Sequence, residues 1–181
     1  MKVTGDVAEA NFRYDRTSIV LHWATVVLVA ALWLSAQAID GLFPRGEARV
    51  PMRSVHMLMG VILGGIVLAR LYWRTTRGAR RPRPTDLLDK GAVGVHHLLL
   101  TALVAVVLLG LANVWMRGDT FFFLFTVPAF DPANTGLRHL VAGAHEWVAN
   151  AILILAGVHG AAALFHHYVL RDSILRRMLP R

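Results

Sequence analysis

Histidine carries the chemistry of this chain. Its 181 residues include nine histidines and no cysteine. The lack of cysteine excludes disulfides, thiolate metal sites, iron–sulfur clusters and c-type haem attachment. All nine lie within long apolar stretches, and His22, His56, His145 and His159 are the four whose depths and faces match. An ionisable side chain is costly there and marks a functional site by default. His145 and His159 are 14 residues apart. At 100° per residue they return to within about 40° of one face, about 21 Å apart along the axis. Imidazoles projecting inward from facing helices suit a haem b iron with both axial positions filled, which favours electron transfer over oxygen binding. Zinc fits less well, because structural zinc takes four ligands and each depth supplies two.

Those side chains need helices to hold them, and the composition provides for helices in lipid. The chain is 56% hydrophobic and 17% charged, with a mean hydropathy of +0.52. An ordinary soluble domain carries roughly 25% charged residues. Four stretches are long enough to cross a bilayer core, which takes about 20 apolar residues. They cover residues 19–39, 55–73, 93–116 and 137–170. The last is too long for a bare span and must tilt or project beyond the bilayer. The fold class expected is an all-α membrane protein, a four-transmembrane-helix bundle of up-down topology. Residues 1–15 do not read as a signal peptide, so the first helix is expected to stay as an anchor.

Charge sets the expected orientation. Of the 19 Lys and Arg residues, 14 fall before the first helix, from the last turn of the second up to the third, or after the fourth. Positive charge stays in the cytoplasm, so both termini are expected inside. Topology and anionic headgroups account for the net charge of +8 without nucleic acid. The run Arg80-Arg81-Pro82-Arg83-Pro84 reads as a stiff cytoplasmic loop. The Phe-rich residues 121–125 are too short to span and should lie at the outer interface or cap the bundle. Residues 173–179 read as a short amphipathic tail.

With that topology the histidines pair by depth. His56 and His145 are outer, and His22 and His159 are inner. Two haems at two depths would conduct electrons across the membrane. Gly60, Gly64, Gly143, Gly157 and Gly160 could make room for the macrocycles, or serve ordinary close helix packing. Arg70, His97 and His166 are candidate contacts for haem propionates or a quinone headgroup, with interfacial anchoring the plainer reading. Arg74 lies with them, and His96 and His167 keep no assigned role. On the outer side Arg45, Arg49, Arg53, Arg117, Arg138 and His139 form a basic rim. It could attract an anion, but it reads first as a solvated rim.

Several motifs agree with this pattern: residues 14–23 (YDRTSIVLHW), 41–45 (GLFPR), 54–60 (SVHMLMG), His145-Glu146, 159–168 (HGAAALFHHY) and 175–180 (LRRMLP). Together they resemble the bacterial di-haem cytochrome b561 family over nearly the whole chain from Tyr14. The resemblance implies a variable segment at 1–13, a cytochrome b domain at 14–172 and a cytoplasmic tail at 173–181. It implies an inner-membrane location and two b haems on His22, His56, His145 and His159. It also implies exchange with the quinone pool, with superoxide oxidised at the periplasmic face and ubiquinone reduced. Lipid, ubiquinone and superoxide are the partners expected, and no obligate protein partner. Two other readings remain open: a haem b subunit of a hydrogenase or dehydrogenase complex, and a His-rich membrane ion transporter.

Overall fold

The computed structural model describes residues 13–77 and 87–179. The segment before Arg13, the expected loop at Arg80-Arg81-Pro82-Arg83-Pro84 and Arg181 lie outside the described residues. Four long helices make up the fold: α1 (Arg16–Leu42), α2 (Val50–Thr76), α3 (Leu87–Arg117) and α4 (Thr135–Tyr168). All four are long and apolar enough to cross a membrane. The chain is a multi-pass membrane protein. Each helix runs past its apolar window on at least one side, because backbone hydrogen bonding continues into polar flanks once a helix has started. At 1.5 Å per residue the 34 residues of α4 reach about 51 Å, well beyond a hydrocarbon core of about 30 Å.

Local chemistry fixes the helix starts. The Asp15 carboxylate accepts from the Ser18 amide (2.9 Å) and hydroxyl (2.7 Å), capping α1. The same carboxylate accepts from Trp73 Nε1 of α2 at 2.8 Å. The start of α1 is thereby tied to the end of α2. A single 3-10 turn (Glu47–Arg49) leads into α2, whose first turn carries a proline. Asn134 caps α4 through the Leu137 amide at 2.9 Å.

The helices alternate in direction. α1 packs chiefly on α2 and α3 on α4, with α2 and α3 joining the two pairs. Leu63 and Val67 of α2, Leu103 and Val106 of α3 and Ile152 of α4 form the central core, flanked by Leu28, Val29 and Leu32 of α1. The outward residues are apolar too, among them Val27, Leu68, Leu108 and Ile154. Lipid is as apolar as leucine, so close packing rather than water exclusion must hold such helices together. Gly64 serves this purpose. A Cβ there would lie 3.2 Å from Val107 Cγ1, so its role is helix contact rather than room for a macrocycle. Added Cβ atoms at Gly60, Gly143, Gly157 and Gly160 would meet nothing within 4 Å.

Both described chain ends lie at one end of the bundle, here termed the terminal end. The Tyr14 amide donates to Arg177 O at 3.4 Å, and Trp23 Nε1 donates to Met178 O at 2.8 Å. The tail forms a short 3-10 turn (Leu175–Arg177) folded back beneath α1. His166 Nδ1 at the foot of α4 lies 2.5 Å from Asp172 Oδ2. Burial works against charge on Asp172. The Ile174 amide, His166 and the charge of Arg177 outweigh it, and the carboxyl sits below its usual range. A lowered carboxyl contributes stability above its unfolded pKa and loses it as pH falls through the folded value. Limited proteolysis should therefore cut the tail faster below about pH 4, and Asp172→Asn should show the acid rate at neutral pH.

The opposite end is closed by a two-stranded hairpin, β1 (Thr120–Phe121) and β2 (Phe125–Thr126), antiparallel, with Phe121 opposite Phe125. Its turn holds Phe122 and Phe123 at φ 45° and 60°. This left-handed backbone is strained for bulky residues and persists only where the surroundings impose it. Ser54 of α2 is fully buried beneath the turn. Its hydroxyl donates to Val50 O (2.7 Å) and accepts from the Phe122 amide (2.8 Å). Ser54→Ala should cost about 1–3 kcal/mol by leaving that amide unsatisfied, measurable as a lower unfolding temperature in detergent. The Phe-rich residues thus cap the bundle, as one of the two placements expected for them.

Candidate functional site

Near the hairpin end, α2 and α4 present His56 and His145 to each other. Their ring centroids are 6.4 Å apart and the ring planes cross at 72°. Two imidazoles bound end-on to one metal, each nitrogen at about 2.0–2.1 Å, place their centroids roughly 6.4 Å apart. The second ring nitrogens are already committed. His56 Nδ1 lies 2.7 Å from Ser35 Oγ, and Ser35 itself donates to Leu32 O at 2.7 Å. The Ser35 hydroxyl proton is therefore used, and His56 Nδ1 must carry the hydrogen. His145 Nδ1 lies 3.1 Å from Val106 O, a pure acceptor, so it carries the hydrogen as well. Both Nε2 atoms then bear lone pairs. Metal-binding histidines are oriented in this manner by the partner of the other nitrogen.

A glycine on α3 seats the His145 ring. A Cβ at Gly110 would meet His145 Cε1 at 3.2 Å and Nδ1 at 3.6 Å. One turn further along the same helix, Asn113 has its Oδ1 buried with no hydrogen-bond partner among the described residues. A pair of facing imidazoles, a glycine cradle and an orphaned polar atom fit a haem group. Ser35, Gly110 and Asn113 were not anticipated from the sequence. Only the i, i+3 spacing of Gly110 and Asn113, which puts both on one helix face, was there to be used. Ser35→Ala should weaken haem retention at this site by roughly 10–100-fold, measured by haem transfer to an acceptor protein.

Toward the terminal end the histidines are arranged differently. The His159 ring meets His96 of α3, with centroids 5.0 Å apart. His22 stacks edge-on against Trp23 at 5.7 Å. It is close enough to interact electrostatically with both His159 and His96. Three imidazoles from α1, α3 and α4 therefore share this level, where the sequence alone singled out two. His96 Nδ1 is held by Ala92 O at 2.6 Å. Alongside them, Arg70 donates to the buried Thr25 hydroxyl at 3.0 Å. His97 Nε2 lies 3.1 Å from Arg74 Nη2, and its Nδ1 lies 2.8 Å from Val93 O. Arg70, His97 and His166 thus each have a protein partner at this end. His167 packs on Tyr168 at 4.9 Å, and His139 is exposed near the start of α4.

The basic rim of the hairpin end is not simply solvated. Arg53 and Arg117 both bind Asp119, at 3.1 and 2.6 Å, and Asp119 is only 3% exposed. Arg49 pairs with Asp40 at 2.9 Å. The expected rim of free charge shrinks because Asp40 at the end of α1 and Asp119 in the third connection pair with half of it.

Comparison with known proteins agrees with this architecture. A family model described as prokaryotic cytochrome b561 matches residues 13–181. "Cytochrome b561 homolog 1" of Escherichia coli (strain K12) is 34% identical over 173 residues, 93% of this chain and 98% of that protein. "Cytochrome b562" of Cereibacter sphaeroides is 31% identical over 173 residues, covering 93% and 96%. "Probable superoxide oxidase CybB" of Yersinia pestis is 28% identical over 172 residues, covering 93% and 97%. Four membrane helices, facing histidines and a family match from Arg13 onward lead to one conclusion: this chain belongs to the prokaryotic cytochrome b561 family of membrane haem proteins for electron transfer.

Proposed function

We propose that the chain is a di-haem b cytochrome that oxidises superoxide at the hairpin end and reduces ubiquinone. The observation that carries the reading is the His56–His145 pair, 6.4 Å apart with both Nδ1 atoms committed. Those two residues would hold one haem, and His22 with His159 the other. A bound haem b would supply a one-electron couple there.

The chain's own residues do the remaining work. Ser35 and the Val106 carbonyl hold the outer imidazoles in one tautomer and one orientation. Leu63, Val67 and Val106 keep water from the space between the two histidine levels. Arg45 and Arg138 leave positive potential at the hairpin end, which draws in a small anion. Arg70, His97 and His166 at the terminal end would contact haem propionates or the quinone headgroup. By the positive-inside bias the termini face the cytoplasm and the hairpin faces the periplasm of the inner membrane. Two superoxide anions each give up one electron and leave as dioxygen. One ubiquinone takes both electrons with two protons and leaves as ubiquinol. The relative named as a probable superoxide oxidase supports this choice of donor.

The test is ubiquinone reduction by purified protein under an enzymatic superoxide source. Ubiquinol should form, superoxide dismutase should suppress it, and His56→Ala should abolish it. Haem reduction by ubiquinol but not by superoxide would overturn the choice of donor and leave a quinol-linked electron carrier.

A further inference from the structure

The ion cluster above the His56–His145 pair is built more heavily than a hairpin strut requires. Asp119 is buried, and its carboxylate takes three hydrogen bonds from two guanidinium groups: Arg53 Nη1 at 3.1 Å, Arg117 Nε at 3.1 Å and Arg117 Nη2 at 2.6 Å. Its backbone is fixed as well, accepting from the Val127 amide at 3.0 Å. Burying charges costs desolvation, and one arginine would neutralise one carboxylate. Two arginines leave the cluster with a net positive charge.

That charge has a direction. Arg117 lies two turns beyond Gly110 on the same face of α3, about 10 Å along the axis. It is close enough to interact electrostatically with both His56 and His145. Arg53 stands three residues, nearly one turn, before His56 on α2. Here the bilayer and the hairpin limit screening, so a unit charge at that range still acts on the site.

Resting on the reading that His56 and His145 hold a haem, we infer that Asp119 is a positioning residue that sets the reduction potential of that haem. It does so by fixing Arg117 in place and cancelling part of its charge. An oxidised haem carries one more positive charge than a reduced one. Added positive charge nearby favours the reduced form and raises the potential, and lost positive charge lowers it.

The test is potentiometric titration of the purified holoprotein. His56→Ala identifies which of the two spectral components belongs to the outer site. Asp119→Asn should raise the potential of that component alone, and Arg117→Gln should lower it. The double variant should return close to the parent value, and Asp119→Glu should stay near it. Opposite signs separate charge from repacking, because a disturbed fold would move both single variants the same way. If Asp119→Asn fails to hold haem, Arg117→Gln and Asp119→Glu carry the comparison. Unchanged potentials, shifts of one sign, or an equal shift at the other haem would overturn the inference. If His56→Ala leaves both haems in place, it is the ligand assignment that fails instead, and haem content alone shows it.

Discussion

Replacing His56 or His145 with alanine should reduce haem content from two per chain to one, and either variant should lose the same spectral component. The imidazoles face each other at the spacing of two ligands on one metal. Alanine on either side removes one of the two residues that would hold the haem, so that haem should be held less tightly and its low-spin absorption lost. His22→Ala or His159→Ala should remove the other component. His96 lies beside His159, so the His22 variant should be compared with a His22→Ala/His96→Ala double variant. If all four single variants keep two haems with unchanged spectra, the pairing is wrong.

Gly110→Leu should abolish the same component without replacing either histidine. A Cβ alone would press on His145 Cε1 at 3.2 Å. Alanine therefore requires a shift of a few tenths of an ångström, and a partial loss of haem is expected. Leucine places its branched end in the volume of the ring. It would push His145 away from Val106 O and from His56 together. Overpacking of this kind costs about 1–3 kcal/mol, which a bundle of four long helices can bear. Helicity by circular dichroism should be preserved while haem content falls by half. Full haem content in Gly110→Leu would show that His145 does not need its present position.

These two expectations differ in how much of their basis the sequence displays. The four spans, their alternating direction and the common depth of His56 and His145 follow from hydropathy and from 1.5 Å per residue. Gly110 was hidden because its importance depends on the rotation of α3 about its axis. The rotation cannot be read from a helix that is apolar all round. Ser35 was hidden for the same reason, on α1. The hairpin lacks the glycine or asparagine that normally marks a tight turn, since Phe122 and Phe123 occupy its left-handed positions. Without the hairpin, Asp119 reads as a loop acid, and its pairing with Arg53 across 66 residues has no local signal. The basic rim was overcounted as a result. At the terminal end, matching depths pair His22 with His159, and the structure adds His96 of the neighbouring helix α3 beside them.

A reduced-minus-oxidised spectrum of the purified protein, with haem quantified per chain, decides whether the bundle holds haem. Two low-spin b haems per chain are expected, both reducible and distinguishable by potential. A folded, helical protein that binds no haem when haem is supplied would contradict that expectation.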